Sequence, residues 1–211
     1  MKHIRDQAPS LPSQVPVMVL PNAVLFPHAL LPLYIFEPRY RAMLAWALEH
    51  ERMFCVALMK PGVEEAHTAE DFYQIAGVGL IRACVGRDDG TSHLILQGMA
   101  RVRFAGFNQE QPFRIAEIEE VRTLNSVDAD AEKLSTAALA LCARMRENGM
   151  SIPENLDEQL QQVSDPAMLA DIVAHAFLRN AERRQSLLEE PRADLRLRSL
   201  IRHLEKEADL D

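Results

Sequence analysis

The sequence predicts an α+β fold, in which a small, curved β half precedes a bundle of helices. Two observations support this prediction. Up to residue 121, apolar residues alternate with polar ones or form short continuous runs, and both patterns are typical of β-strands. From residue 129 they recur every three or four positions, which is typical of helices with one buried face. We therefore place the boundary between the halves within residues 121–128 and predict a flexible lead at residues 1–14.

A proline-spaced apolar stretch, residues 21–36, lies at the centre of the β half. Proline lacks a backbone N–H and disfavours helix at the residue before it, so the stretch is predicted to be extended, kinked backbone rather than one regular element. Because successive kinks turn the backbone, we expect some of its apolar side chains to reach the surface and form a binding site. The candidate substrate-binding residues are Leu25, Phe26, Leu30, Leu31 and Tyr34.

The rest of the β half predicts five strands and one helix. Asp89-Gly90 between two alternating apolar runs is typical of a hairpin, and Gly77, Gly79 and Gly98 suit sharp bends in a strongly curved sheet. The predicted strands are residues 15–20, 53–59, 73–87, 91–104 and 113–121, with a helix at 38–51 and a charged loop at 60–72.

The helical half predicts five helices with clear start and stop residues. Gly149 suits the end of the first helix, and Asp165 before Pro166 suits a capped helix start. The predicted helices run from residue 129 to 149, from Pro153, from residue 165 to 177, from 182 to 190 and from 192 to 207.

Several short motifs of the β half occur together in a known family. The most specific is the run Ile-Phe-Glu-Pro-Arg-Tyr at residues 35–40. The other matching segments are residues 20–21, 25–27, 31–33, 75–79 and 96–103. This set resembles the amino-terminal, substrate-binding domain of Lon proteases. The resemblance extends over residues 15–202, and it is strongest up to residue 121.

The resemblance implies a PUA-like β pseudo-barrel with one helix, followed by a C-terminal helical bundle. Residues 15–124 would form the Lon-type β domain and residues 125–211 the helical domain. It also implies a stand-alone form of the domain that recognises unfolded or exposed apolar polypeptide segments. Such a domain would serve as an adaptor in protein quality control, with an ATP-dependent protease as a candidate partner.

The sequence lacks the motifs of the ATPase and protease modules of Lon. A phosphate-binding loop of the Gly-x-x-x-x-Gly-Lys type requires a Gly-Lys pair, and none occurs. A Ser–Lys dyad requires a lysine in a prepared site, whereas Lys2, Lys60, Lys133 and Lys206 lie near the termini, in a loop or on a predicted solvated helix face. We therefore predict no catalytic residues, no enzyme activity and no cofactor.

Cysteine and histidine spacing predicts no metal site, because no pair has the separation of zinc ligands. Cys55, Cys84 and Cys142 are far apart in apolar surroundings, which indicates reduced thiols in a cytoplasmic protein. The amino terminus has no apolar signal core, and prolines interrupt the best candidate for a membrane span.

The charge of the chain bears on whether it binds polypeptides or nucleic acid. The net charge is −8, and a net acidic chain is a poor nucleic-acid binder. The last predicted helix has a basic side, which either pairs with nearby acidic residues or binds an acidic partner: Arg192, Arg196, Arg198 and Arg202. Polypeptide binding is our main prediction. The alternatives are a PUA-like module that binds nucleic acid or a small ligand, and an enzyme site in the cleft between the halves.

Overall fold

The computed structural model describes residues 10–108, 110–124, 130–152 and 156–208. The strands are β1 (Gln14–Leu20), β2 (Leu30–Ile35), β3 (Met53–Leu58), β4 (Ile75–Gly86), β5 (Ser92–Asn108) and β6 (Arg114–Glu120). The helices are α1 (Pro38–Glu49), α2 (Ala131–Glu147), α3 (Leu156–Gln162), α4 (Pro166–Phe177), α5 (Ala181–Glu189) and α6 (Ala193–Ala208). The α+β prediction is confirmed. Among the described residues, no helix is both long and apolar enough to cross a membrane.

The six strands form one mixed sheet in the order β2-β5-β4-β3-β1-β6. A further pairing between β5 and β6 closes the five strands β5, β4, β3, β1 and β6 into a barrel and leaves β2 at an edge. Only β1 and β3 are parallel; the other pairs are antiparallel. The long strand β5 contacts three neighbours, and register shifts in its pairings with β4 and β6 bend it, as bulges do. The sheet is therefore strongly curved, as the sequence predicts.

Two glycines let the proline-spaced stretch cross the barrel at close range. A Cβ atom on Gly77 would collide with the carbonyl oxygen of Leu25, and one on Gly98 would collide with that of Phe26. The side chains of Leu25 and Phe26 are fully buried. The glycines thus permit close backbone packing, in addition to the bending that the sequence predicts at these positions.

Part of the proline-spaced stretch is more regular than predicted. Residues 21–29 are irregular, but residues 30–35 form β2 and pair with β5 along its whole length. Pro32 is compatible with a strand here because β2 lies at the end of the sheet order, where an N–H turned away from the sheet has no partner to bond.

The β half and the helical half share one hydrophobic core. Phe26, Leu58 and Ile75 of the β half pack with buried residues from all five helices that follow. A buried ion cluster joins the halves as well, because Asp171 of α4 accepts hydrogen bonds from Arg101 of β5 and Arg196 of α6. We call these three residues the clamp. The division at residues 124 and 125 stays a prediction, since residues 125–128 of the predicted boundary lie outside the described ranges, as do residues 1–9 of the predicted flexible lead.

Candidate functional site

The exposed side of β2 is apolar. Its side chains alternate, so that Leu30, Pro32 and Tyr34 point outward while Leu31 and Leu33 are half-buried on the other side. Leu30 is 55% exposed and Tyr34 is 46% exposed, although a half-buried strand normally presents polar residues to solvent.

The apolar surface continues across β5 and β4, because directly opposite residues of neighbouring strands share a face. Tyr34 lies opposite His93, which in turn lies opposite Val85, and Val85 is 66% exposed. The Tyr34 ring stacks on His93 and on Phe36, with centroid separations of 4.7 and 5.7 Å. We define the outer face as this surface: Leu30, Pro32, Tyr34, Phe36, Ala83, Val85, His93 and Ile95.

A cleft of about 800 Å³ runs beside the outer face, between β2 and the helices α3 and α4. Leu30 and Pro32 border both features, so the apolar surface is continuous from the cleft to Val85. The helical side of the cleft is formed by Leu156, Glu158, Gln159, Gln162, Ile172, His175 and Ala176.

The cleft is nearly free of charge. Glu158 is its one formally charged lining residue among the described parts of the chain. Burial, reinforced by the nearby Arg184 guanidinium, lowers the pKa of His175, while hydrogen bonding to the backbone of Leu30 and Val24 opposes that effect. His175 is therefore neutral at pH 7, and an apolar occupant would meet little electrostatic resistance.

The structure brings together some of the predicted binding residues and separates others. Leu30 and Tyr34 lie on the outer face, and Leu31 is half-buried behind it. The expectation that Leu25 and Phe26 reach the surface is wrong, because the close crossing over β4 and β5 places both in the core.

Sequence reasoning did not identify Val85, His93 and Phe36 or the residues of α3 and α4 that line the cleft. The predicted Asp-Gly hairpin was the available signal for Val85 and His93, since it places these two residues opposite each other. The contribution of α3 and α4 depends on tertiary packing and has no local signal.

The described residues contain no group of three metal-ligating side chains. The basic side of α6 is largely engaged in ion pairs, since Arg192 contacts Asp194 at 3.0 Å and Arg196 contacts Asp171 at 2.9 Å. Cys55 is fully buried, and burial raises its pKa far above the usual range of a thiol. These features stabilise the fold and do not form a second site.

Comparisons with known proteins identify the family. The sequence model of the ATP-dependent protease La (LON) substrate-binding domain matches residues 14–206. Lon protease of Desulfosudis oleivorans is 26% identical over 201 residues, which are 95% of this chain and 25% of that protein. Lon protease of Escherichia coli K12 is 26% identical over 198 residues, or 93% of this chain and 25% of that protein.

Solved structures share the fold. The N-terminal domain of Mycobacterium avium complex Lon protease superposes with a TM-score of 0.69 at 20% identity, covering 91% of this chain and 98% of that one. The Lon N-terminal domain protein of Xanthomonas campestris gives 0.65 at 21% identity, covering 90% and 97%. This chain spans about a quarter of the length of the Lon proteases that it matches. It belongs to the Lon substrate-binding domain family.

Proposed function

We propose that this chain binds exposed apolar segments of other polypeptides at the outer face and the adjoining cleft, without catalysis of its own. The observation that supports this function best is the contiguous apolar surface around Leu30, Tyr34, Phe36 and Val85, whose side chains are 46–66% exposed. Contiguous exposed apolar surface marks interaction sites in soluble proteins.

The outer face and cleft suit a flexible polypeptide better than a small polar ligand. The cleft lies between β2 and the helices α3 and α4, and it contains a single formal charge among its described lining residues. Burying a leucine or aromatic side chain contributes roughly 1.5–3 kcal/mol, while ordering a peptide opposes binding. Two or three such contacts therefore give weak binding, with a Kd of about micromolar or higher.

Family membership supports the same function. The family is named for substrate binding, and the relatives described above are Lon proteases. If this chain delivers the polypeptides that it binds to an ATP-dependent protease, it acts as an adaptor in protein quality control. The absence of a Gly-Lys pair from the sequence is consistent with a binding role alone.

A peptide-binding titration with matched variants tests the proposal. Fluorescence anisotropy of a labelled apolar peptide measures the Kd of the parent, of a variant with Leu30→Ser, Tyr34→Ser and Val85→Ser, and of Leu124→Ser. Leu124 is 57% exposed, and its backbone pairs with residues 191–193 at the start of α6 rather than with the strands of the outer face, so it serves as the control. We expect at least tenfold weaker binding by the triple variant and no change for Leu124→Ser.

The salt dependence separates polypeptide binding from the nucleic-acid alternative. Apolar contacts are insensitive to salt, whereas phosphate contacts weaken steeply between about 50 and 200 mM salt. Tight, salt-sensitive binding of RNA or DNA would favour the alternative. A parent protein that binds no apolar peptide would refute the proposed function.

A further inference from the structure

The free edge of β2 offers backbone hydrogen-bonding groups beside the outer face. In the described part of the chain, β2 is an end strand with β5 as its sheet partner. Antiparallel strands turn the N–H and C=O of every second residue toward the partner. The Ala29 carbonyl accepts a hydrogen bond from the Gly98 N–H at 2.8 Å, so odd-numbered residues face β5. The even-numbered residues Leu30, Pro32 and Tyr34 therefore turn their backbone groups away from the sheet.

Proline at the centre of β2 agrees with this assignment. Within sheets, proline is found where its missing N–H would face away from the partner strand, and Pro32 occupies such a position. The outward groups are then the N–H groups of Leu30 and Tyr34 and the carbonyls of Pro32 and Tyr34, while the ring of His175 lies against the Leu30 backbone. The residues with outward backbone groups are the same ones that expose apolar side chains.

We propose that the bound polypeptide is an extended segment that adds to the sheet as an antiparallel strand beside β2. Its backbone would pair with the outward groups of β2, and every second side chain would lie on the outer face or in the cleft. Strand addition of this kind obtains affinity from backbone hydrogen bonds and selectivity from alternate side chains. This inference rests on the proposed function and specifies the geometry of binding.

The dimensions of the edge favour a short segment over a folded partner. β2 has six residues and is about 20 Å long. A stable interface between folded proteins buries about 1,200–2,000 Å², which is more than one six-residue edge provides, so a second copy of this chain is a poor occupant. Pro32 also lacks one outward donor, which limits continuous pairing between edges.

The charge of the cleft selects among segments. Its lining combines the carboxylate of Glu158 with the side-chain amides of Gln97, Gln159 and Gln162. The amides of Gln159 and Gln162 on α3 lie across the cleft from β2 and offer hydrogen-bonding groups to a strand added there, and the carboxylate disfavours aspartate and glutamate. The fitting occupant is an extended, apolar segment without acidic residues.

Peptides with methylated backbone nitrogens test the geometry. The probe is a fluorescein-labelled nonapeptide in which leucine and threonine alternate, with one added lysine at each end. In an antiparallel added strand, the residues opposite Pro32 and Tyr34 share their face and direct their N–H groups toward the Pro32 and Tyr34 carbonyls. N-methylation of two central leucines should therefore weaken binding roughly tenfold, because two hydrogen bonds are lost. N-methylation of the two central threonines should leave the Kd unchanged.

A pair of variants tests the edge from the protein side. Tyr34→Pro removes one outward N–H, whereas Tyr34→Val removes the same ring and keeps the N–H. We expect Tyr34→Pro to bind the parent peptide at least threefold more weakly than Tyr34→Val, with circular dichroism confirming that both are folded. If Tyr34→Pro does not fold, the methylated peptides decide alone.

The outcomes separate this inference from the proposed function. Equal binding of all three peptides would overturn strand addition while leaving apolar recognition at the outer face intact. Equal losses for leucine and threonine methylation, or a loss for threonine methylation alone, would also overturn it, because an antiparallel strand with its leucines on the outer face pairs only the leucine N–H groups with β2. A parent protein that binds none of the peptides would overturn the proposed function itself.

Discussion

Replacing Asp171 with alanine should be among the most destabilising single changes to this protein. Asp171 is 3% exposed and its carboxylate accepts hydrogen bonds from two guanidinium groups, those of Arg101 and Arg196, which are themselves 3% and 0% exposed. The clamp thus contains two buried cations and one buried anion. Burial, together with the like charge of Arg101, lowers the pKa of Arg196, and the attraction of Asp171 opposes this shift.

The magnitude follows from what would remain after the substitution. Removing one partner of a buried ion pair costs about 3–5 kcal/mol, because an uncompensated charge stays in the interior. Both arginines keep other acceptors, since Arg101 Nε donates to the Leu188 carbonyl and Arg196 Nε donates to the Glu190 carbonyl, each at 3.0 Å. We therefore expect a loss of about 3 kcal/mol, which is a large part of the 5–15 kcal/mol typical of a domain.

Urea unfolding followed by circular dichroism measures this loss. The control is Asp165→Ala, which removes the cap of α4, where the Asp165 carboxylate accepts a hydrogen bond from the Ala167 N–H at 2.9 Å. A lost cap costs about 1 kcal/mol. A second comparison replaces the whole clamp with Arg101→Met, Asp171→Leu and Arg196→Met, which should cost less than Asp171→Ala alone because no charge is left unpaired. Equal losses for Asp171→Ala and Asp165→Ala would refute the reasoning.

Three further predictions concern packing, pH and thiol chemistry. Gly98→Ala should destabilise the fold by about 1–3 kcal/mol or prevent folding, because its Cβ collides with a backbone carbonyl, whereas Gly86→Ala, with only a side-chain oxygen 3.9 Å from the added Cβ, should be nearly neutral in the same urea titration. Because the pKa of His175 is lowered in the folded protein, the His175 imidazole binds a proton more readily in the unfolded chain than in the folded one. The free energy of unfolding should therefore fall as pH drops from 7 to 5, and it should fall less in His175→Gln; an unchanged pH profile would contradict this. Iodoacetamide should modify the half-buried Cys84 before the fully buried Cys55, because burial keeps the Cys55 thiol protonated and inaccessible. Mass spectrometry of the native protein after limited reaction measures this order, and earlier modification of Cys55 would contradict the prediction.

The sequence was most informative where local patterns decide the structure. The change of apolar period predicted the order of strands and helices, and Asp89-Gly90 predicted the β4–β5 hairpin, in which Gly90 has a φ of 79°. Asp165 and Pro166 likewise start α4 as expected. These signals are local because turns, caps and side-chain periodicity are set by a few adjacent residues.

The candidate site was only partly predictable because its geometry depends on contacts distant in sequence. The proline spacing indicated that apolar side chains would be exposed, and Leu30 and Tyr34 are. It could not distinguish these from Phe26, whose burial depends on the absence of a Cβ at Gly98 and on the packing of the helical half. Regular strand structure at residues 30–35 was missed because Pro32 opposes a central strand but not an edge strand.

One helix connects the stability of the fold to the shape of the candidate site. In α4, Asp171 belongs to the clamp, while Ile172, His175 and Ala176 line the cleft. The clamp fixes this helix to β5, and β5 in turn pairs with β2, which forms the opposite side of the cleft. The clamp, together with the shared hydrophobic core, therefore helps to hold β2 and α4 apart at a fixed distance, although its three residues are not among those that line the cleft. Under the proposed function, a folded protein with a weakened clamp would hold the two sides of the cleft less firmly and bind peptide more weakly, even though every residue that touches the peptide is unchanged.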